Sequence, residues 1–423
     1  MTAPTANVAT GLKVPLSAPD VGERELRYVE EVMRSGHLSL GPMLPRFEER
    51  FAATIGRKHA IAVNSGTSAL HLCVRAAGIG AGQEVITTSF SFVASTNCLL
   101  YENAVPVFVD IDPATLNISP LKIREFLKKC CELDARGRVI NRETEREVKG
   151  ILPVHVFGLP CDMQPIREIA REYGLTIIED SCEAIGASYQ GKQAGTFGDM
   201  SCFAFYPNKQ MTTGEGGMVV TDDERFAKLC RSMRNQGRGE DGSWLRHERL
   251  GYNYRLSDIH CALGLAQIER LSELLEKRDY VARAYHRALK DVPHLRRLEN
   301  VPGAERSWFV YIVQLDPAVE RGARDRILQR LRSARVGCQA YFPAIHRQPF
   351  LKDLIHLPLG RLRETEIAAD RCLALPFFSD LKNDQIEFVV DALRSAVASE
   401  CGAERIPVSP QGFSETESFQ ERV

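Results

Sequence analysis

From residue 59 onward one unit recurs along the chain: a short apolar run rich in β-branched residues, a turn, and an amphipathic helical stretch. HAIAV (59–63) ends in NSGTS and leads into ALHLCVRAAG. EVITT (84–88) precedes a helix from about Phe92, and PVFVDID (106–112), ILPVHVF (151–157), LTIIED (175–180), MSCFAF (200–205) and GMVVTD (217–222) continue the scheme. Apolar runs of this length separated by helices predict an α/β fold with a mostly parallel sheet covered on both faces. In such sheets the ligand lies outside the carboxyl ends of the strands. The unusual residues of this chain fall there.

Outside the repeating unit, residues 20–55 read as helical with a break at SGHLSLGPMLP (35–45), where Gly and Pro interrupt the pattern. The charged insertion 132–149 predicts a hairpin with a solvated face, and 258–289 a long helical stretch able to bridge two domains. After Pro293 the rhythm changes to strand (307–315), basic helix (ARDRILQRLRSAR) and strand (GCQAYF). The expected division is a flexible N-terminus 1–15, a large domain 16–279, a smaller α+β domain 280–402 and a disordered tail 403–423.

Composition narrows the function classes. The 54 basic and 55 acidic residues leave a net charge of −1, which offers no general attraction to nucleic acid or anionic lipid. No apolar run reaches the ~18–20 residues needed to span a bilayer, and the first residues lack the basic and apolar regions of a secretory signal. Twelve dilute cysteines with no CxxC pair suggest buried thiols in a reducing cytoplasm and no structural zinc.

Three segments carry chemistry. In NSGTSAL (64–70) a strand ends, Gly66 permits a tight turn, and Thr67 and Ser68 open a helix. Free backbone N–H groups, two hydroxyls and the helix dipole suit a phosphate; plain helix capping is the competing reading. The pattern is not the GxxxxGK[ST] of a nucleotide P-loop. In LTIIEDSCEAIGA (175–187) Glu179 and Asp180 end an apolar strand, where burial is costly without a partner. A carboxylate there can bind metal, orient a base, hold a protonated heterocycle or simply cap a helix; no ligand cluster accompanies it, so no metal is expected. In FAFYPNKQMTTGEGGMVVTD (203–222) Lys209 sits in a short loop between two apolar strands. Burial there disfavours the charged amine and readies it to attack a carbonyl; a surface lysine on a hairpin is the alternative.

A phosphate cradle, a strand-end carboxylate and a strand-end lysine, in that order, are the parts that pyridoxal 5'-phosphate needs. The lysine forms a Schiff base and the carboxylate keeps the pyridine nitrogen protonated. At this point the chain resembles the DegT/DnrJ/EryC1/StrS sugar aminotransferases of pyridoxal-phosphate fold type I. The resemblance runs from about residue 14 to 400 through SGHLSLGPMLPRFEERFA, AVNSGTSALHL, PVFVDIDP, PVHVFGLPCDM, IIEDSCEAIGA, the lysine segment, GYNYRLSDIHCALGLAQIERL (251–271) and YFPAIHRQP (341–349). It implies a large domain with a mixed, mostly parallel sheet and a smaller α+β C-terminal domain.

By position, the resemblance makes Lys209 the Schiff-base lysine, Asp180 the partner of the pyridine nitrogen, and Gly66, Thr67 and Ser68 the phosphate turn. Phe92 falls where relatives stack an aromatic ring on the cofactor, although a core residue is the plainer reading. Glu183 stands where relatives often carry His or Gln, and Ala204 where many carry a phosphate-binding Ser. Ser201 is out of register to replace that Ser, which leaves Thr212 or Thr213. Asn253, with Arg255 beside it, resembles the residue lent across a homodimer to the neighbouring subunit's phosphate. Tyr341 and His346 resemble substrate-side positions, although a lone His is more often structural. A dehydratase branch of the family replaces the lysine with His; this chain keeps Lys209, which favours an aminotransferase. The implied reaction moves an amino group from L-glutamate to a keto-sugar carried on a nucleoside diphosphate, for surface polysaccharide, lipopolysaccharide or secondary-metabolite sugars. Two alternatives stay open: a cyclitol aminotransferase acting on a keto-inositol, with glutamine as a possible donor, and a cofactor-binding regulatory protein.

Overall fold

The computed structural model describes residues 11–239, 246–296, 298–351 and 362–401. Seven strands run through the large sheet: β1 (His59–Val63), β2 (Gln83–Thr88), β3 (Val105–Val109), β4 (Glu147–Leu152), β5 (Thr176–Asp180), β6 (Met200–Ala204) and β7 (Gly217–Thr221). Their spatial order is β1-β7-β6-β5-β4-β2-β3. From β6 across to β3 every pairing is parallel; β7 lies antiparallel to both β6 and β1. The sheet is therefore mixed and mostly parallel, as the sequence predicts. The antiparallel member follows from the connection 205–216 between β6 and β7, which contains no helix to carry a parallel crossover.

The helices Gly66–Ala76, Ala94–Leu100, Pro120–Cys130 and Met163–Tyr173 lie in the connections between these strands, and Glu224–Arg234 follows the last of them. Helix Gly66–Ala76 packs against β6 and β7, burying Leu70, Leu72, Cys73 and Val74 beside Ile61, Val63, Cys202 and Val219. On the other face the helix Met43–Ile55 and the helix Asp258–Glu269 bury Phe47, Phe51, Leu265 and Ile268 against Ala60, Phe203 and Val220. The insertion forms the expected hairpin, Cys131–Leu133 with Val139–Asn141. ILPVHVF departs from expectation: β4 stops at Leu152, and Val156–Gly158 makes a tight turn with Phe157 at φ 56°. Pairing with β5 persists past Pro153, whose carbonyl accepts from the Asp180 N–H at 2.9 Å, and the His155 N–H donates to Asp180 O at 3.1 Å before the chain turns.

The long helical stretch is two helices, Asp258–Glu269 and Leu271–Ala288, broken at Arg270. The second packs on a four-stranded sheet of Leu295–Arg296, Tyr311–Leu315, Cys372–Leu375 and Gln339–Ala340, together with helices Ala323–Ser333 and Asn383–Cys401. Residues 11–15, expected to be flexible, depart from that reading at Val14. It is 1% exposed, packs into this smaller core and pairs with Val336, because an apolar side chain and a free backbone edge both find partners there. The expected tail 403–423 and residues 1–10 lie outside the described residues. Among the described residues no helix is long and apolar enough to cross a membrane.

Candidate active site

The carboxyl ends of β1, β5 and β6 open onto a cavity of about 390 Å³ that also reaches the segments around Phe92, Phe309 and Tyr341. Three strand ends set its walls. At the end of β5, successive side chains point to opposite faces, so the two adjacent carboxylates part company. Asp180 lines the cavity, with Oδ2 accepting from Ser95 Oγ at 2.7 Å and Oδ1 from the Cys182 N–H at 3.1 Å. Glu179 points the other way and is fully buried. It accepts from the N–H groups of Phe197, Gly198 and Gly195 and pairs with His155 at 3.0 Å. Burial acts to raise its pKa, but His155, the Gly198 N–H and Arg57 hold it below the ordinary carboxylate range. Glu179 is thus a tie for the 195–198 loop.

Beyond β1, Ser65 caps helix Gly66–Ala76 by accepting from the Ser68 N–H at 3.0 Å. Gly66 and Thr67 line the cavity with the helix N-terminus behind them. Ser68 does not: its Oγ turns back to Asn64 Oδ1 at 2.7 Å and Ser65 Oγ at 2.9 Å, so its hydroxyl serves the cap. A Cβ at position 66 would stand 2.6 Å from Ala204 Cβ, which makes glycine the residue that lets the helix start this close to β6. Thr212 and Thr213, the suggested replacements for a serine at 204, are turned elsewhere, and so is the out-of-register Ser201. Thr212 Oγ1 donates to Phe205 O, Thr213 Oγ1 donates to Glu215 O, and Ser201 Oγ donates to Glu179 O.

Lys209 lies in the loop between β6 and β7, its side chain 13% exposed. Its Nζ sits 3.9 Å from the centre of the Phe309 ring and 3.7 Å from Glu183 Oε1. The surroundings are therefore not purely apolar, as burial between two strands suggested. Glu183 Oε2 also accepts from the Phe157 N–H at 2.9 Å. Burial pushes the Glu183 carboxyl above the ordinary range, with Lys209 opposing. Phe92 lines the cavity and is 61% exposed, which removes the core reading of that residue. Tyr341 lines the opposite wall, its phenol pushed up to about 12 by burial and the Glu183 charge. His346 is not in the cavity. Ser89 Oγ lies 2.7 Å from its Nδ1, Glu366 holds its Nε2 at 3.3 Å, and burial lowers its pKa; it ties two segments together.

Asn253 is exposed and outside this cavity. The tyrosines on either side of it stack at 4.8 Å, and both hydroxyls reach a buried cluster, Tyr254 at His71 and Tyr252 at Glu102. Arg255 donates to Asn235 at 3.0 Å.

A family model described as the DegT/DnrJ/EryC1/StrS aminotransferase family matches residues 19–394. GDP-perosamine synthase of Caulobacter vibrioides is 36% identical over 383 residues, spanning 90% of this chain and 97% of that protein. The spore coat polysaccharide biosynthesis protein SpsC of Bacillus subtilis is 33% identical, spanning 91% of this chain and 97% of its own length. The solved structure of DesV from S. venezuelae superposes with a TM-score of 0.80 at 31% identity, covering 93% of this chain and 99% of that one. The chain belongs to the DegT/DnrJ/EryC1/StrS aminotransferase family. It is a pyridoxal-phosphate-dependent sugar aminotransferase.

The residues of this aminotransferase fit that cofactor on their own chemistry. An amine and a desolvated carboxylate share one cavity, a helix N-terminus with glycine at its first position closes one end, and the buried Asn208 Oδ1 on the cavity wall has no hydrogen-bond partner among the described residues. Several members of the site carry no local sequence signal. Ser95 steadies Asp180 from another element. Arg278, fully buried on helix Leu271–Ala288, donates to the carbonyls of Lys209 at 2.7 Å and Phe309 at 3.2 Å, its pKa lowered to about 10 by burial. Gln210 bridges Glu183 O at 2.6 Å and Ser307 Oγ at 3.0 Å. Arg278 stands among Glu276, Lys277 and Asp279 in a charged helix, so nothing in the local sequence marks it.

Proposed function

We propose that this aminotransferase takes its amino group from L-glutamate and delivers it to a keto-sugar carried on a nucleoside diphosphate, in the cytoplasm, for polysaccharide or lipopolysaccharide synthesis. The observation that carries the chemical part is Lys209 Nζ and the Asp180 carboxylate facing one cavity whose end is a helix N-terminus. The names of the perosamine synthase and the spore coat protein support the sugar and polysaccharide part.

When bound, pyridoxal phosphate supplies an electrophilic carbonyl and an electron-withdrawing ring. Gly66, Thr67 and the helix dipole hold its phosphate. Asp180, positioned by the Ser95 and Cys182 donors, would pair with the ring nitrogen, and Phe92 would pack against the ring. Lys209 Nζ would anchor the cofactor through its carbonyl, and as a free amine would take the proton from the donor's Cα and deliver it to the other end of the reacting system. Glu183 steadies the Lys209 amine and Arg278 fixes the loop that carries it. Tyr341 forms the substrate wall opposite. Asn253, displayed on the surface by its tyrosine neighbours, completes the phosphate site of a second copy, which makes the active species a homodimer.

An absorption spectrum of the purified enzyme before and after L-glutamate, beside Lys209→Ala, tests this reading. The visible cofactor band should shift to the ultraviolet with glutamate in the wild type only, and nucleoside-diphosphate keto-sugars should then restore it. A wild type that binds cofactor but ignores glutamate would sink the donor assignment. Restoration by a keto-inositol alone would move the acceptor to the cyclitols.

A further inference from the structure

A second cavity, of about 220 Å³, shares no lining residue with the active site. It lies where the Phe157 turn meets the smaller domain, and its polar lining is out of balance. His294 is 7% exposed, and neither ring nitrogen has a hydrogen-bond partner among the described residues. Its backbone stands at φ 59°, in the left-handed region, and its carbonyl is fixed by the Asp316 N–H at 2.9 Å. A buried imidazole left without partners is destabilising.

Arg306 shares the cavity. Its guanidinium donates to Phe157 O at 3.2 Å and Glu299 O at 3.4 Å and lies 5.1 Å from the centre of the Trp308 ring. Among the described residues it meets no carboxylate, and burial lowers its pKa to about 10. Lys290 and Arg296, both exposed, also line the cavity. Asp316 is the only carboxylate in the lining, with one oxygen accepting from the Ala318 N–H at 2.9 Å. Cationic and N–H donors thus converge with too few acceptors. An oxyanion carrying two charges would supply acceptors to Arg306 and His294 together. The volume exceeds several times a water's share of ~30 Å³, room for a phosphoryl group with a small organic part.

We propose that this cavity is a binding site for a small phosphate-bearing anion, held by Arg306 and His294 with Lys290 and Arg296 at its mouth. Phe157 links it to the active site: its carbonyl accepts from Arg306, and its N–H donates to Glu183, the carboxyl nearest Lys209. The proposal is independent of which sugar the enzyme aminates.

The test uses holoenzyme in phosphate-free buffer, titrated with inorganic phosphate against potassium chloride of equal ionic strength. Trp308 is one of two tryptophans, so a Trp244→Phe background reports its fluorescence alone. Phosphate should give a saturable change, and Arg306→Gln and His294→Leu should each weaken it about tenfold or more. The exposed Lys290→Ala should weaken it less, and an unaltered cofactor spectrum in each variant shows that the fold is kept. The absence of a saturable change would overturn the proposal. So would a change that survives Arg306→Gln and His294→Leu, or one abolished by saturating amino donor, since that places phosphate in the active site.

Discussion

Gly66→Ala probes the phosphate end of the cavity by adding a single methyl group. The new Cβ would stand 2.6 Å from Ala204 Cβ and 3.2 Å from Cys182 Sγ. Carbon atoms in contact sit about 3.5–4.0 Å apart, so about 1 Å of movement is required. Ala204 is held in the sheet opposite Gly217, so the first turn of the helix is the part that moves. Overpacking of this kind costs about 1–3 kcal/mol. The same shift misaligns the N–H groups of Gly66 and Thr67, where each hydrogen bond to a charged group is worth about 1.5–3 kcal/mol. Spoiling one of them lowers cofactor affinity about tenfold or more. The assay is cofactor titration of the apoenzyme, followed by absorbance, beside thermal unfolding of the apoenzyme. Ala204→Gly supplies the control, because it moves the methyl across the same contact. The double variant should recover affinity to within about 0.5 kcal/mol of wild type once the Ala204→Gly effect is subtracted, and the coupling should exceed that value. Wild-type affinity in Gly66→Ala, or a double variant as weak as the single one, would refute the claim that this clash governs the site.

Three further outcomes are expected. Glu179→Gln should cost about 3–5 kcal/mol at neutral pH, because it leaves buried partners of a charged carboxylate unmatched. Since the folded pKa of Glu179 lies below its unfolded value, that stability is present above the unfolded value and lost as pH falls through the folded one; melting curves at pH 7 and 3.5 should show the gap between wild type and variant closing in acid, and a constant gap would contradict the assignment. Arg278→Met frees the carbonyls of Lys209 and Phe309, so kcat should fall about tenfold or more while cofactor affinity changes less, with partial rescue in Arg278→Lys; equal losses in both parameters would count against a positioning role. If Asn253 acts across a homodimer, mixing inactive Lys209→Ala with inactive Asn253→Asp chains should restore activity, because one site of each mixed pair is intact; no recovery on subunit exchange would place Asn253 in its own chain's chemistry.

The order of strands and helices was legible because burial on both faces of a sheet writes itself into short apolar runs. Lys209 and Asp180 were legible for a related reason: an amine and a carboxylate at the ends of such runs have nowhere to go but the open end of the sheet. Local reading failed wherever a side chain chooses between neighbours. Ser68, Thr212 and Thr213 satisfy nearby backbone or cap groups instead of facing the cavity, and His346 is claimed by Ser89 and Glu366.

The sequence by itself determined the fold class through its periodicity and the family and cofactor through the motifs it shares, and it set Lys209 and Asp180 at strand ends, since these are properties of contiguous segments. Tertiary structure alone decided the rest. Strand register sends Asp180 into the cavity and Glu179 out of it. A helix some seventy residues further along the chain brings Arg278 under Lys209. The Phe157 turn donates to Glu183 beside the amine on one side and accepts from Arg306 in the second cavity on the other. Each of these contacts joins segments distant in the chain, and no local pattern encodes a contact that forms only once the chain has closed on itself.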